Sequence, residues 1–164
     1  MYGTYVFLPQ QLDAACTALR WIMENSTYIS AGHLTIAQAP PDLKQQVLVV
    51  TPQIFYSADE AAKLLQPLVV IGPVQQTFVP SSFDRQCDHL NWICAKGDFK
   101  RASQTGLDGW NVKNIKTLVE IHGELVAECP DAARSGFTVK WLTPCMREGE
   151  LKSSFGLENI NYWL

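Results

Sequence analysis

Hydrophobic and polar positions follow two periods along this chain, and the order of those periods predicts the fold. Residues 2–8 are aromatic and β-branched, a composition typical of a strand. From residue 10, apolar side chains recur at i, i+3, i+4 and i+7, which is the spacing of an amphipathic helix that should stop near Asn25. Residues 33–39 alternate as a strand, and residues 47–55 predict its partner across the Pro40-Pro41-Asp42 turn.

The next segment predicts a second helix and a fourth strand. Ser57 and Glu60 have the spacing of a capping box, and an apolar helical stripe follows them. Gly72-Pro73 is a helix stop, and residues 74–79 predict a strand. The order strand, helix, strand, strand, helix, strand is that of a ferredoxin-like βαββαβ antiparallel sheet with both helices on one face.

Beyond residue 80 the pattern indicates further elements on the same α+β domain, which we expect to span residues 1–164. Residues 83–92 could form a short helix, and residues 112–129 carry a third helical stripe. Residues 137–142 alternate as a strand, and residues 155–164 could form another. The sheet should therefore be extended by a C-terminal helix and one or two strands.

The sheet face opposite the helices should decide the function, because another surface must close it. A solvated face would carry lysine and glutamate, whereas the side chains assigned here are aromatic, small or neutral. This composition predicts contact with another surface or with a small apolar or polycyclic ligand. The residues placed on this face are Tyr5, Phe7, His33, Thr35, Val49, Thr51, Gln53, Phe55, Phe137 and Trp141.

Charge and composition narrow the class of partner. The net charge is −3 and no basic stripe is present, which argues against nucleic acid and anionic membrane. The five cysteines are scattered without metal-ligand spacing, which is typical of reduced thiols in a cytoplasmic protein. No phosphate loop, metal triad or catalytic serine motif occurs, so we expect neither metal nor cofactor.

Residues 47–83, VLVVTPQIFYSADEAAKLLQPLVVIGPVQQTFVPSSF, resemble the substrate domain of fungal berberine bridge enzyme-like, FAD-linked oxidoreductases. The similar features are the capped helix, the Leu-Leu-x-Pro-Leu and Gly-Pro-Val turn, the Gln-Thr-Phe strand and the Pro-Ser-Ser-Phe element. The segments MYGTYVFLPQQ, AKGDFKRASQTGL and CPDAARSGFTVKW are also similar to stretches of fungal members.

This resemblance implies the fold but does not imply the family's activity. Members of that family hold FAD in a preceding domain, and nothing in this sequence matches that domain. Family redox chemistry is therefore not expected here. The resemblance places Tyr5, Thr51 and Gln53 on the face that would look toward flavin and substrate.

His33 is the candidate for acid–base or hydrogen-bonding work, since a neutral imidazole can polarise a carbonyl or move a proton. With Thr51 and Gln53 it forms the predicted catalytic set; the alternative is a histidine bonded to neighbouring groups. Trp110 and Trp141 could wall a pocket, or could be core anchors. His122, on the apolar stripe of the third helix, is interpreted as a packed or half-buried residue.

Two hypotheses for function follow, with a truncated, non-functional relative as a third. The first is a cofactor-independent cyclase or pericyclase (Diels-Alderase-like) of fungal secondary metabolism, performing cyclisation, cycloaddition or isomerisation. Such steps gain from a fixed conformer and a few hydrogen bonds. The second is a non-catalytic binding or partner subunit, pairing with a flavin domain or forming a homodimer through the open sheet face.

Overall fold

The structure, a computed structural model, describes residues 1–27, 30–82, 85, 103 and 109–142. Its strands are β1 (Tyr2–Phe7), β2 (Ser30–Gln38), β3 (Gln46–Ile54), β4 (Gln75–Val79) and β5 (Phe137–Leu142). Its α-helices are α1 (Leu12–Asn25), α2 (Ala58–Val70) and α3 (Val112–Glu128), with short 3-10 turns at Pro9–Gln11 and Pro130–Arg134. The predicted helix at 83–92 and strand at 155–164 lie outside the described residues.

The five strands form one antiparallel sheet in the order β4-β1-β3-β2-β5. The first four strands have the ferredoxin-like order, and β5 extends the sheet beside β2. The predicted α+β class and the predicted extension by a helix and a strand are confirmed. Strand bounds predicted from the alternation differ from the observed ones by at most three residues at β2 and by one elsewhere.

The ends of α2 show why the helix begins and stops where it does. The Ser57 hydroxyl accepts a hydrogen bond from the Glu60 amide at 3.5 Å, so the Ser57 half of the predicted capping box is present. The Glu60 carboxylate contacts Lys63 Nζ at 3.3 Å on the helix surface. Gly72 follows the last turn with a φ of 77°, a backbone conformation that glycine adopts without strain.

All three helices pack on the same face of the sheet, and the main core lies beneath them. α1 and α2 supply their apolar stripes, and Ile115 of α3 joins the same cluster of buried side chains. The sheet contributes one side of each strand to this cluster, with Leu34, Leu48 and Val50 fully buried. We call this the covered face, and we call the other face, which none of the described helices covers, the open face.

A buried polar network fixes α3 against the sheet. His122 is fully buried, as the sequence predicted for a packed residue. Its Nδ1 accepts a hydrogen bond from Gln46 Nε2 at 2.9 Å, and its Nε2 donates to the Ser135 carbonyl at 3.0 Å. Gln46 Nε2 also donates to the Val119 carbonyl at 2.9 Å. Because the Gln46 amide nitrogen can only donate and the Ser135 carbonyl can only accept, the imidazole carries its proton on Nε2.

Candidate functional site on the open sheet face

The register of the five strands arranges the open face in rows of side chains that run across the sheet. Directly opposite residues have Cβ atoms about 4.5–5.5 Å apart, so members of a row are neighbours. The central row reads, from β4 to β5, Thr77, Thr4, Thr51, His33 and Lys140. The rows on either side of it are Val79, Tyr2, Gln53, Ala31, Leu142 and Gln75, Val6, Val49, Thr35, Thr138.

The predicted catalytic residues lie together in these rows. His33 of β2 pairs directly with Thr51 of β3, and Gln53 lies two residues along β3 on the same face. Val49 and Thr35 form the next pair on the open face. All five are partly exposed, so the alternation on β2 and β3 assigned these residues to the correct face.

Four of the predicted ligand-binding residues were assigned to the wrong face. Tyr5 and Phe7 of β1 are 2% and 0% exposed and belong to the helix-covered core. On β5, Trp141 is 0% exposed and Phe137 packs against the same core. The physical reason is apolar area: the aromatic side of each strand carries more of it than the side with Thr4 or with Lys140, so burying the aromatic side removes more apolar area from water.

Trp110 also lies on the helix side of the sheet and cannot line the open face. Its indole Nε1 donates to the Cys16 carbonyl of α1 at 3.1 Å, and its own carbonyl accepts from Arg20 Nη2 at 2.9 Å. Its side chain is partly buried against the core. Trp141 is fully buried, so its predicted place in a pocket wall is wrong. The contacts of Trp110 with α1 fit the alternative, a core anchor.

The open face carries one aromatic residue, Tyr2, that the sequence interpretation did not place there. Tyr2 lies between Gln53 and Val79 in the row that ends at Leu142, and Val79 is 40% exposed. Phe55 follows β3 directly and is 38% exposed. The alternation of β1 could have placed Tyr2 on the open face. Tyr2 and Thr4 are two residues apart and point to the same face, opposite to the buried Tyr5.

The chemistry of this face is neutral hydrogen bonding. Its three central threonines, His33 and Gln53 offer donors and acceptors, and Lys140 is the single charged side chain in the three rows. Thr35 Oγ1 and Thr138 Oγ1 lie 3.1 Å apart and share a hydrogen bond across β2 and β5. At the far end of the same face Val47 is 5% exposed, so the face is not uniformly open to water.

Two further features do not belong to this site. A groove of about 800 Å³ lies on the helix side, between α1 and α2, and is lined mainly by apolar side chains that include Trp21, Pro67 and Val70. Cys16 is buried, and burial, reinforced by the nearby Asp13 carboxylate and partly offset by Arg20, raises the pKa of its thiol to about 12. Such a thiol remains protonated near neutral pH and is not a nucleophile.

Within the described ranges, no group of three histidine, cysteine or acidic side chains could hold a metal ion. None of the helices in those ranges is long and apolar enough to cross a membrane.

Comparison with known proteins does not identify the chain: no family model, curated protein or solved structure gives a significant match.

Proposed function

We propose that this protein is a binding module whose open face forms one wall of a site for a small, mostly apolar molecule. The observation that supports the proposal is the composition of the three rows, in which one of fifteen side chains is charged. The solvent-exposed face of an antiparallel sheet is normally rich in lysine, glutamate and aspartate, because charged groups are favoured in water.

A flat wall requires a second surface to enclose a ligand. Ligand sites in proteins are concave and bury most of the ligand. The large aromatic side chains that could have enclosed a ligand on this face point into the core instead. They are Tyr5, Phe7, Phe137 and Trp141. The second wall would therefore come from a second copy of this chain, so that the complete site would form in the purified protein.

A neutral aromatic probe tests the binding face without knowledge of the natural ligand. Naphthalene-2-carboxamide offers a flat apolar body and one amide for hydrogen bonding. We expect its titration into ¹⁵N-labelled protein to shift the amide signals of Thr51, His33 and Gln53. Shifts confined to α1 and α2 would assign binding to the helical groove and would contradict the proposal.

Catalysis of a cofactor-independent cyclisation, cycloaddition or isomerisation is a second candidate function. The specific observation in its favour is the direct pairing of His33 with Thr51, two residues from Gln53. An imidazole, a hydroxyl and a carboxamide that share one small area could hold a carbonyl and stabilise charge that develops on its oxygen. In this role His33 would donate a proton to the reacting group or accept one from it. Thr51 and Gln53 would orient the reacting group.

The mass of the affected metabolite tests the catalytic candidate. Cyclisation, cycloaddition and isomerisation all conserve the molecular formula. Deleting the gene in its host should therefore replace a metabolite by another of identical mass and different retention time. Complementation with the intact gene should restore the original metabolite, and a folded His33→Ala variant should not. Full restoration by both His33→Ala and Gln53→Ala would exclude the catalytic role of this set.

A further inference from the structure

The central row of the open face ends in a charge that the described residues leave uncompensated. Lys140 pairs with His33 across β2 and β5, and its side chain lies on the same face as His33, Thr51 and Thr4. It forms no ion pair with any residue in the described ranges. A single cation beside a neutral hydrogen-bonding row makes this end of the site electrostatically different from the rest.

The row also has a direction. With strands about 4.8 Å apart, five side chains span roughly 19 Å, about the length of a drug-sized molecule. Along that length the groups change from the hydroxyls of Thr77, Thr4 and Thr51 to the imidazole of His33 and then to the Lys140 ammonium. A ligand that matches this order has a neutral body and one anionic end.

We propose that Lys140 is the anchor for a carboxylate, and that the open face takes elongated monocarboxylates whose apolar body lies over Thr51 and Thr4. This inference rests on the proposed binding function and names the ligand class for it. The ammonium of Lys140 donates charge-assisted hydrogen bonds to the carboxylate, which are stronger than those between neutral groups. Because the remaining positions of the rows are neutral, a second anionic group on the ligand would find no partner there.

An alternative role for Lys140 is protection of a sheet edge, since lysine on an edge strand discourages pairing with other chains. The two roles differ in their consequences. Edge protection is independent of the chemistry of any ligand, whereas an anchor discriminates a carboxylate from its neutral isostere. A pair of probes with the same shape therefore separates them.

The experiment compares 2-naphthoate with naphthalene-2-carboxamide by titration of ¹⁵N-labelled protein at pH 7. We expect the carboxylate to bind about tenfold more tightly to the wild-type chain, and Lys140→Gln to remove that preference while the carboxamide affinity is unchanged. Lys140→Arg should retain the preference, and Lys116→Gln, an exposed lysine of α3, should have no effect.

The outcomes distinguish this inference from the function on which it rests. If both probes shift open-face amides with equal affinity, the binding face is supported and the carboxylate anchor is overturned. If neither probe shifts those amides, the binding face itself is contradicted. A preference for 2-naphthoate that survives Lys140→Gln would overturn the assignment of Lys140.

Discussion

The indole of Trp141 lies directly over Gly32 on the neighbouring strand, and the absence of a side chain at Gly32 makes room for it. A Cβ built at Gly32 would lie 2.5 Å from Trp141 Cζ2 and 2.7 Å from the carbonyl oxygen of Thr51. Both residues belong to the covered face, where Trp141 is fully buried. This contact packs β5 against β2 next to the pair formed by Lys140 and His33.

Replacing Gly32 by alanine should therefore destabilise the protein by about 2–3 kcal/mol, since the backbone carbonyl and the packed indole must both move. Urea unfolding followed by circular dichroism measures this change. Gly123 provides a matched control because a Cβ there would meet only Gln46 Nε2, at 3.8 Å. Gly123→Ala lies within α3 and should stabilise the chain by about 0.5–1 kcal/mol. Equal effects of the two substitutions would contradict the packing of Trp141 on Gly32.

Tyr2 and Tyr5 test the assignment of the two faces with one residue type on one strand. Tyr5→Ala removes a core aromatic that is 2% exposed and should cost about 3–5 kcal/mol of unfolding free energy. Tyr2→Ala acts on the open face and should cost less than half as much. Chemical denaturation of both variants gives the comparison, and a larger loss for Tyr2→Ala would reverse the faces of β1.

The Gln46–His122 network predicts a stability effect that depends on one amide. Gln46→Ala leaves His122 Nδ1 and the Val119 carbonyl without their donor and should cost about 1–3 kcal/mol. Gln45→Ala changes the exposed neighbouring glutamine and should stay within about 0.5 kcal/mol of wild type. Thermal unfolding monitored by circular dichroism compares the two variants. Indistinguishable melting temperatures would show that the network does not hold α3 to the sheet.

Cys16 predicts a loss of stability in alkaline solution. Its folded-state pKa, about 12, lies above the value of 9.0 for an unperturbed thiol, so the unfolded chain releases this proton first. The contribution of the buried thiol is complete below about pH 9 and declines as pH rises from 9 toward 12. Urea unfolding at pH 8 and pH 10 should show a decline that is smaller in Cys16→Ala. An identical pH dependence in both proteins would contradict the burial of this thiol.

The sequence predicted the fold well because the signals that specify it are local. The helical stripes, the Ser57 cap, the Gly72 stop and the alternation of β2 and β3 are each set by residues close in the chain. On β2 and β3 the two sides differ clearly in polarity. Leu34 and Val50 are apolar, and their neighbours His33 and Thr51, which point to the opposite face, are polar, so the faces could be assigned.

The faces of β1 could not be assigned in the same way, since both of its sides carry β-branched or aromatic residues. On β5 the charge of Lys140 marks the exposed side, and the sequence interpretation did not use it. Tyr5 and Phe7 alternate with Thr4 and Val6, and only packing against α1 and α2 makes the larger pair the buried one. The central row was also beyond prediction because it needs the register of four strand pairs. Lys140 becomes a neighbour of His33 only through that register, 107 residues away in sequence.

A substitution at the centre of the open face tests the binding claim most directly. Thr51→Arg places a charge in the middle of the central row, and Thr117→Arg makes the same change on the exposed side of α3 as a control. We predict that naphthalene-2-carboxamide titrates the open-face amides of wild type and Thr117→Arg with the same affinity, and that Thr51→Arg folds normally and binds at least about tenfold more weakly. Undiminished binding by a folded Thr51→Arg protein would contradict the account.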